Sequence, residues 1–160
     1  TRQVIAGMKF PDKEGNLLDL SDPRIKSGLL YSPGSIEHLG DLDPQLVYPS
    51  INIPLLHMTG TEDGSPLSDL GYEIRLAVFD NTDTERYLLV LKDGDHMVFN
   101  GSRGKLGQSQ YRDLHEGIIR IISLAYWDAQ LKDDEAAREW LTGEGIKSYL
   151  ADNATFDMKL

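Results

Sequence analysis

The chain has 160 residues, enough for one domain with a core and too few for two of ordinary size. Its formal charge of −10 argues against nucleic acid and anionic membrane surfaces as partners, and no apolar run approaches the roughly 20 residues that cross a bilayer. With no cysteine, disulfides, thiol catalysis and cysteine-ligated metal are excluded, while the compartment, cytoplasmic or exported, stays open.

In chain order, Thr1 to Met8 places Val4, Ile5 and Met8 at helical spacing without a cap. It reads as the body of a helix that begins upstream, so a processed or truncated start is expected. Lys9 to Pro23 is a polar connection. A first strand is centred on Gly28 to Tyr31 and stopped by Ser32-Pro33-Gly34. Residues 34–52 form a long loop of the kind that builds pockets at a sheet rim. Ile53 to Thr59 is the second strand, followed by an acidic loop from Gly60 to Ser65. A helix covers Tyr72 to Phe79 with Ile74, Leu76, Val78 and Phe79 turned partly inward, and Asn81 to Glu85 is a polar turn.

The third strand, Tyr87 to Leu91, is an apolar run of the kind buried on both faces of a parallel sheet. Lys92-Asp93-Gly94-Asp95 then reads as a turn, with Gly94 available for a positive φ. Asn100 to Lys105 is a flexible connection. A long helix follows from about Gln110 to Leu131, its stripe of Leu114, Ile118, Ile121, Ile122 and Ala125 at the 3.6 period. Asp133 or Asp134 caps a further helix through Trp140-Leu141 that Gly143 closes, and Ile146 to Ala151 forms one more. Strands alternating with helices predict one α/β domain with a parallel sheet. Three parallel strands leave an apolar edge at Leu29-Leu30-Tyr31, and such edges pair with further chain.

Asp63 and His96 each follow a predicted strand, and open α/β sheets place reacting groups beyond the carboxyl ends of their strands. A histidine there can serve as general base if a carboxylate orients it and a nucleophile lies within reach. The two residues are 33 positions apart, room for one helix and one strand between adjacent strand ends. On this reading they are two members of a catalytic triad; a turn or capping histidine is the bland alternative.

The segments Ser32-Pro33-Gly34, Pro54 to Asp63 (PLLHMTGTED) and Leu91 to Phe99 (LKDGDHMVF) resemble the α/β-hydrolase fold. In detail they are similar to its dienelactone-hydrolase-like and chlorophyllase-like bacterial members, whose order is Ser, Asp, His. The resemblance spans nearly the whole chain, from the helix after the nucleophile to the last helix. It implies Asp63 as triad acid, His96 as triad base, a small-molecule ester as substrate and no metal or organic cofactor. One departure is plain. The family's G-x-S-x-G elbow is missing, since Gly101-Ser102-Arg103-Gly104 and Gly107-Gln108-Ser109-Gln110 lack the pattern and follow the histidine. The resemblance therefore makes this the carboxyl-terminal half of a hydrolase whose amino-terminal half, with nucleophile and oxyanion hole, is supplied by the same gene product or a companion chain.

Other residues carry alternatives. Glu62 neighbours Asp63, though the strand-end position favours Asp63. Asp93, Asp95 and His96 with His38, Asp41 or Asp43 give no closed metal-ligand spacing, and an acidic surface cluster fits them better. His57 reads as a core residue, His115 as solvated or at a helix contact, and Trp127 and Trp140 as packing residues. Ser32 and Ser35 line a pocket or simply form a turn. Without a nucleophile, a non-catalytic binding module on the same scaffold is the second functional reading.

Overall fold

The structure, a computed structural model, describes residues 7–34, 36, 42–64, 70–100 and 109–160. The expected helix over Thr1 to Met8 falls almost wholly outside them, as do Ser35, His38, Asp41 and the Gly101–Lys105 connection.

The centre is a four-stranded mixed sheet in the order β3-β4-β5-β6, with β3 Gly28–Tyr31, β4 Leu55–Glu62, β5 Arg86–Asp95 and β6 Ala154–Lys159. The first three run parallel, as expected, and β6 lies antiparallel on β5. The sequence reading assigns nothing to this tail, and the strand is a correction to it. Ala154, Phe156 and Met158 sit opposite Leu91, Leu89 and Tyr87, so their two-residue alternation follows the pleat. β6 therefore covers one side of β5, and β3 and β6 are the two edge strands of the sheet among the described residues.

Helices α3 (Arg112–Leu131), α4 (Glu135–Thr142) and α5 (Glu144–Leu150) pack on one sheet face. Leu56, Met58, Leu89 and Leu91 meet Ile118, Ile122, Leu141 and Ile146 there, and all are buried. Burial of this kind supplies roughly 1.5–3 kcal/mol per large aliphatic side chain. Asp134 is the cap of α4, its carboxylate accepting the Ala137 amide at 3.0 Å. The buried stripe of α3 is His115, Ile118, Ile122, Tyr126 and Ala129, whereas Leu114 and Ile121 are exposed. The predicted stripe is thus rotated. Two polar anchors set the true face: the Tyr126 hydroxyl donates to the Gly28 carbonyl at 3.1 Å, and His115 Nε2 lies 2.9 Å from the Lys92 carbonyl oxygen.

On the other face, Leu30 and Leu55 pack with Val47, Tyr48, Ile51 and Val78. The 34–52 segment thus contributes core rather than pocket wall where it is described, and Pro44–Val47 forms a one-turn helix, α1, capped by Asp43. The 72–79 region is a 3-10 turn, Tyr72–Leu76, running into α2, Ala77–Asn81. The 9–23 connection contains a small antiparallel hairpin, β1 Phe10–Pro11 with β2 Leu17–Leu18. Among the described residues no helix is long and apolar enough to cross a membrane.

Candidate active site

Both central strands run further than the sequence reading has them. β4 continues through Glu62, so the first three residues of the predicted acidic loop are strand, and β5 continues through the predicted Lys92–Asp95 turn. Their pairing then jumps, with Gly60 opposite Leu91 but Glu62 opposite Asp95. Three residues of β5, Lys92 to Gly94, therefore bulge against one of β4, Thr61, and such bulges re-aim the residue that follows. The positive φ falls on Asp93, at 57°, rather than on Gly94. Glycine is required for another reason: a Cβ on Gly60 would lie 2.1 Å from the Gly94 carbonyl oxygen. Thr61 fixes the bulge by accepting the Asp93 amide on its hydroxyl at 2.9 Å.

The bulge delivers His96 beside Asp63. His96 opens a 3-10 turn, His96–Asn100, whose amides at Met97 and Val98 are accepted by Asp95 Oδ1 at 2.9 and 3.2 Å. Asp63 follows β4 directly, its own amide turned back to the Gly60 carbonyl at 2.9 Å. His96 Nδ1 lies 3.0 Å from Asp63 Oδ1. Asp63 is fully buried, while the His96 side chain is 46% exposed. Glu62, the rival carboxylate, is exposed and on the opposite pleat.

Asp63 is held on every side. Thr59 Oγ1 donates to Oδ2 at 2.9 Å, Ser32 Oγ donates to Oδ1 at 3.0 Å, and Arg75 Nε lies 3.0 Å from Oδ1. Ser32 Oγ is also 2.8 Å from His96 Nδ1. A carboxylate only accepts and a hydroxyl has one proton, so one arrangement satisfies all three groups. Ser32 gives its proton to Asp63, and Nδ1–H of His96 points at both oxygens. The ring is then the Nδ1–H tautomer, with Nε2 as the basic nitrogen. Ser32 itself, held at a left-handed φ of 46° that costs about 1 kcal/mol, meets the ring on the acid's side. It orients the histidine and is not placed as its nucleophile.

The remaining candidates disperse. Asp43 caps α1, accepting the Gln45 amide at 2.9 Å. Among the described residues no group of three or more histidines, aspartates and glutamates could hold a metal ion. His57 is fully buried in β4, edge-on to Phe79 with ring centroids 5.9 Å apart, and neither ring nitrogen has a hydrogen-bond partner among the described residues. Burial, with the Arg86 charge adding to it, pushes it down to about 3. His115 is buried as well, not solvated, and desolvation lowers its pKa. Trp127 and Trp140 pack against the α3–α5 core. A groove of about 580 Å³ over Leu88 and Val90 is lined by neither Asp63 nor His96.

Arg75 and Thr59 are the site residues that sequence reasoning misses. The legible signal for Arg75 is a lone cation between Ile74 and Leu76 on a short helical turn, which must find a carboxylate once that turn packs inward. Thr59 has no such signal, since threonine is ordinary in a strand. No protein-family model matches the chain, and no curated protein matches it.

Proposed function

We propose that this chain is the carboxyl-terminal part of a serine hydrolase of the α/β-hydrolase fold, dienelactone-hydrolase-like or chlorophyllase-like, that cleaves carboxylic esters. The observation that supports this reading is the pair itself. A buried carboxylate and a half-exposed imidazole, 3.0 Å apart, stand at the carboxyl ends of adjacent parallel strands. A serine from outside these 160 residues attacks the ester carbonyl, and Nε2 of His96 takes its proton. The ester C–O bond breaks as His96 passes that proton to the leaving alcohol. Water then attacks the acyl-serine with His96 again as base, releasing the acid and restoring the serine. Asp63 holds the ring and offsets the charge of the imidazolium. The chemistry needs neither a metal nor an organic cofactor.

The test is to join the chain to an amino-terminal half that carries a G-x-S-x-G elbow and treat the assembly with a fluorophosphonate probe. The serine should label, and His96→Ala should cut both labelling and ester hydrolysis by at least about 10³-fold. Undiminished hydrolysis in His96→Ala would overturn the assignment and leave the binding-module reading.

A further inference from the structure

The outward face of α3 is apolar where a surface helix is ordinarily polar. Leu114, Ile121, Leu124 and Leu131 are each between 42% and 59% exposed. With Gly117 and Asp128 they recur in alternating steps of three and four residues along nearly the whole 20-residue helix. That period is the seam along which two helices pack side by side. A single exposed leucine needs no explanation, but a row of four about 25 Å long does.

Two observations bear on what covers the row. Glycine weakens a helix interior relative to alanine, yet a Cβ on Gly117 would meet nothing within 4 Å. No packing inside this chain requires it, whereas a second backbone approaching the seam would. The Tyr31 hydroxyl lies 3.3 Å from Ser123 Oγ, so the Ser123 flank of α3 looks toward the β3 edge. At about 100° per residue, Leu124 stands about 100° and Ile121 about 160° around the helix from Ser123. A further strand paired on β3 would therefore lie on the far side of the helix from the row.

We propose that this face of α3 binds the same face of a second copy of the chain, the two helices running antiparallel about a two-fold axis between Ile122 and Ser123. That axis sets Leu114 opposite Leu131, Ile121 opposite Leu124 and Gly117 opposite Asp128, each pair occurring twice, as a two-fold interface requires. Charge decides the direction. A parallel pair would set Asp128 against Asp128. The antiparallel pair gives each Asp128 a glycine opposite and Arg120 of the other copy less than one turn away. Arg120 is exposed and makes no ion pair among the described residues, while Asp128 is paired with Lys132 at 2.6 Å. The charge of −10 on each copy opposes association at long range. In about 0.15 M salt, however, charges further apart than roughly 8 Å are largely screened, and the contacts at the seam decide. One helix pair buries less than the roughly 800 Å² per partner of a standard interface, so the dimer is weak, with a dissociation constant on the order of 10–100 μM. The proposal does not rest on the hydrolase reading.

The experiment is sedimentation equilibrium of the 160-residue chain in about 0.15 M salt, over a concentration range from about 5 to about 500 μM. The parent should pass from its 17.9 kDa mass to twice that mass as concentration rises. The double variant Ile121→Lys with Leu124→Lys should keep the monomer mass throughout, with an unchanged circular dichroism spectrum because both side chains are exposed. A parent that stays monomeric, or a folded double variant that dimerises as the parent does, overturns the proposal. The direction is read by cross-linking, since the chain has no cysteine of its own. Gly117→Cys and Asp128→Cys chains are mixed and oxidised, and the mixed disulfide should form about tenfold faster than either like pair, because only those two positions face each other. Mixed and like pairs forming equally fast, or a like pair forming faster, overturns it as well. Should the double lysine variant not fold, the cross-linking rates decide alone. Ester hydrolysis enters neither readout, so a failed esterase test leaves this proposal standing and a monomeric chain leaves the hydrolase reading untouched.

Discussion

Acid lability should be written into the core at His57. The ring is fully buried in β4 with neither nitrogen bonded among the described residues, and its pKa falls from the ordinary 6.5 to about 3. The unfolded chain takes up a proton there below pH 6.5, whereas the native protein does not until about 3. Unfolding therefore gains protons throughout that window, and stability falls as pH drops through it. Above it the ring is neutral in both states and contributes no pH dependence. At pH 5 the loss is about 2 kcal/mol, from roughly one and a half units at about 1.4 kcal/mol each. This figure holds for any native value below about 4, so it does not depend on how deep the depression runs. Urea unfolding of the parent and of His57→Leu at pH 7 and pH 5 isolates the residue. Leucine fills similar space and leaves no polar atom behind, so the variant should match or exceed the parent at pH 7. Between the two pH values the parent should lose about 2 kcal/mol more than the variant. Equal losses in the two proteins would refute the reasoning.

Two further substitutions probe the scaffold beneath the site. Asp63→Ala strands the buried Arg75 without its carboxylate, so it should cost about 3–5 kcal/mol in denaturant unfolding, more than an exposed aspartate could. Gly60→Ala drives a methyl group into the Gly94 backbone. It should cost about 3 kcal/mol and speed amide hydrogen exchange across Leu91 to Asp95, because backbone cannot step aside as a flexible side chain does.

The strand–helix alternation and the placing of Asp63 and His96 at strand ends were legible because each rests on a local signal, an apolar run followed by a polarity change, even though the turn read at Lys92–Asp95 is strand. What escaped depends on tertiary partners. The rotation of α3 that buries His115 and exposes Leu114 and Ile121 is set by contacts with Gly28 and Lys92, far away in sequence. The Ala154–Lys159 strand carries a two-residue alternation, but only its pairing with β5 distinguishes it from a tail. Gly94 reads as a turn glycine, yet the glycine that the packing demands is Gly60 of the adjacent strand, where a Cβ would run into the Gly94 backbone. Arg75 reads as the polar side of a helical turn until Asp63 is seen beside it.

The central claim is that Asp63 and His96 act as one unit on a serine carried by the amino-terminal half. A double-mutant cycle on ester hydrolysis by the assembled halves, using Asp63→Asn, His96→Ala and both together, tests it most directly. The account predicts non-additivity: with His96 already gone, removing the acid should change kcat/KM by no more than a few-fold, although Asp63→Asn alone costs about 10³-fold or more. Losses that simply multiply would mean the two side chains act independently, and would contradict it.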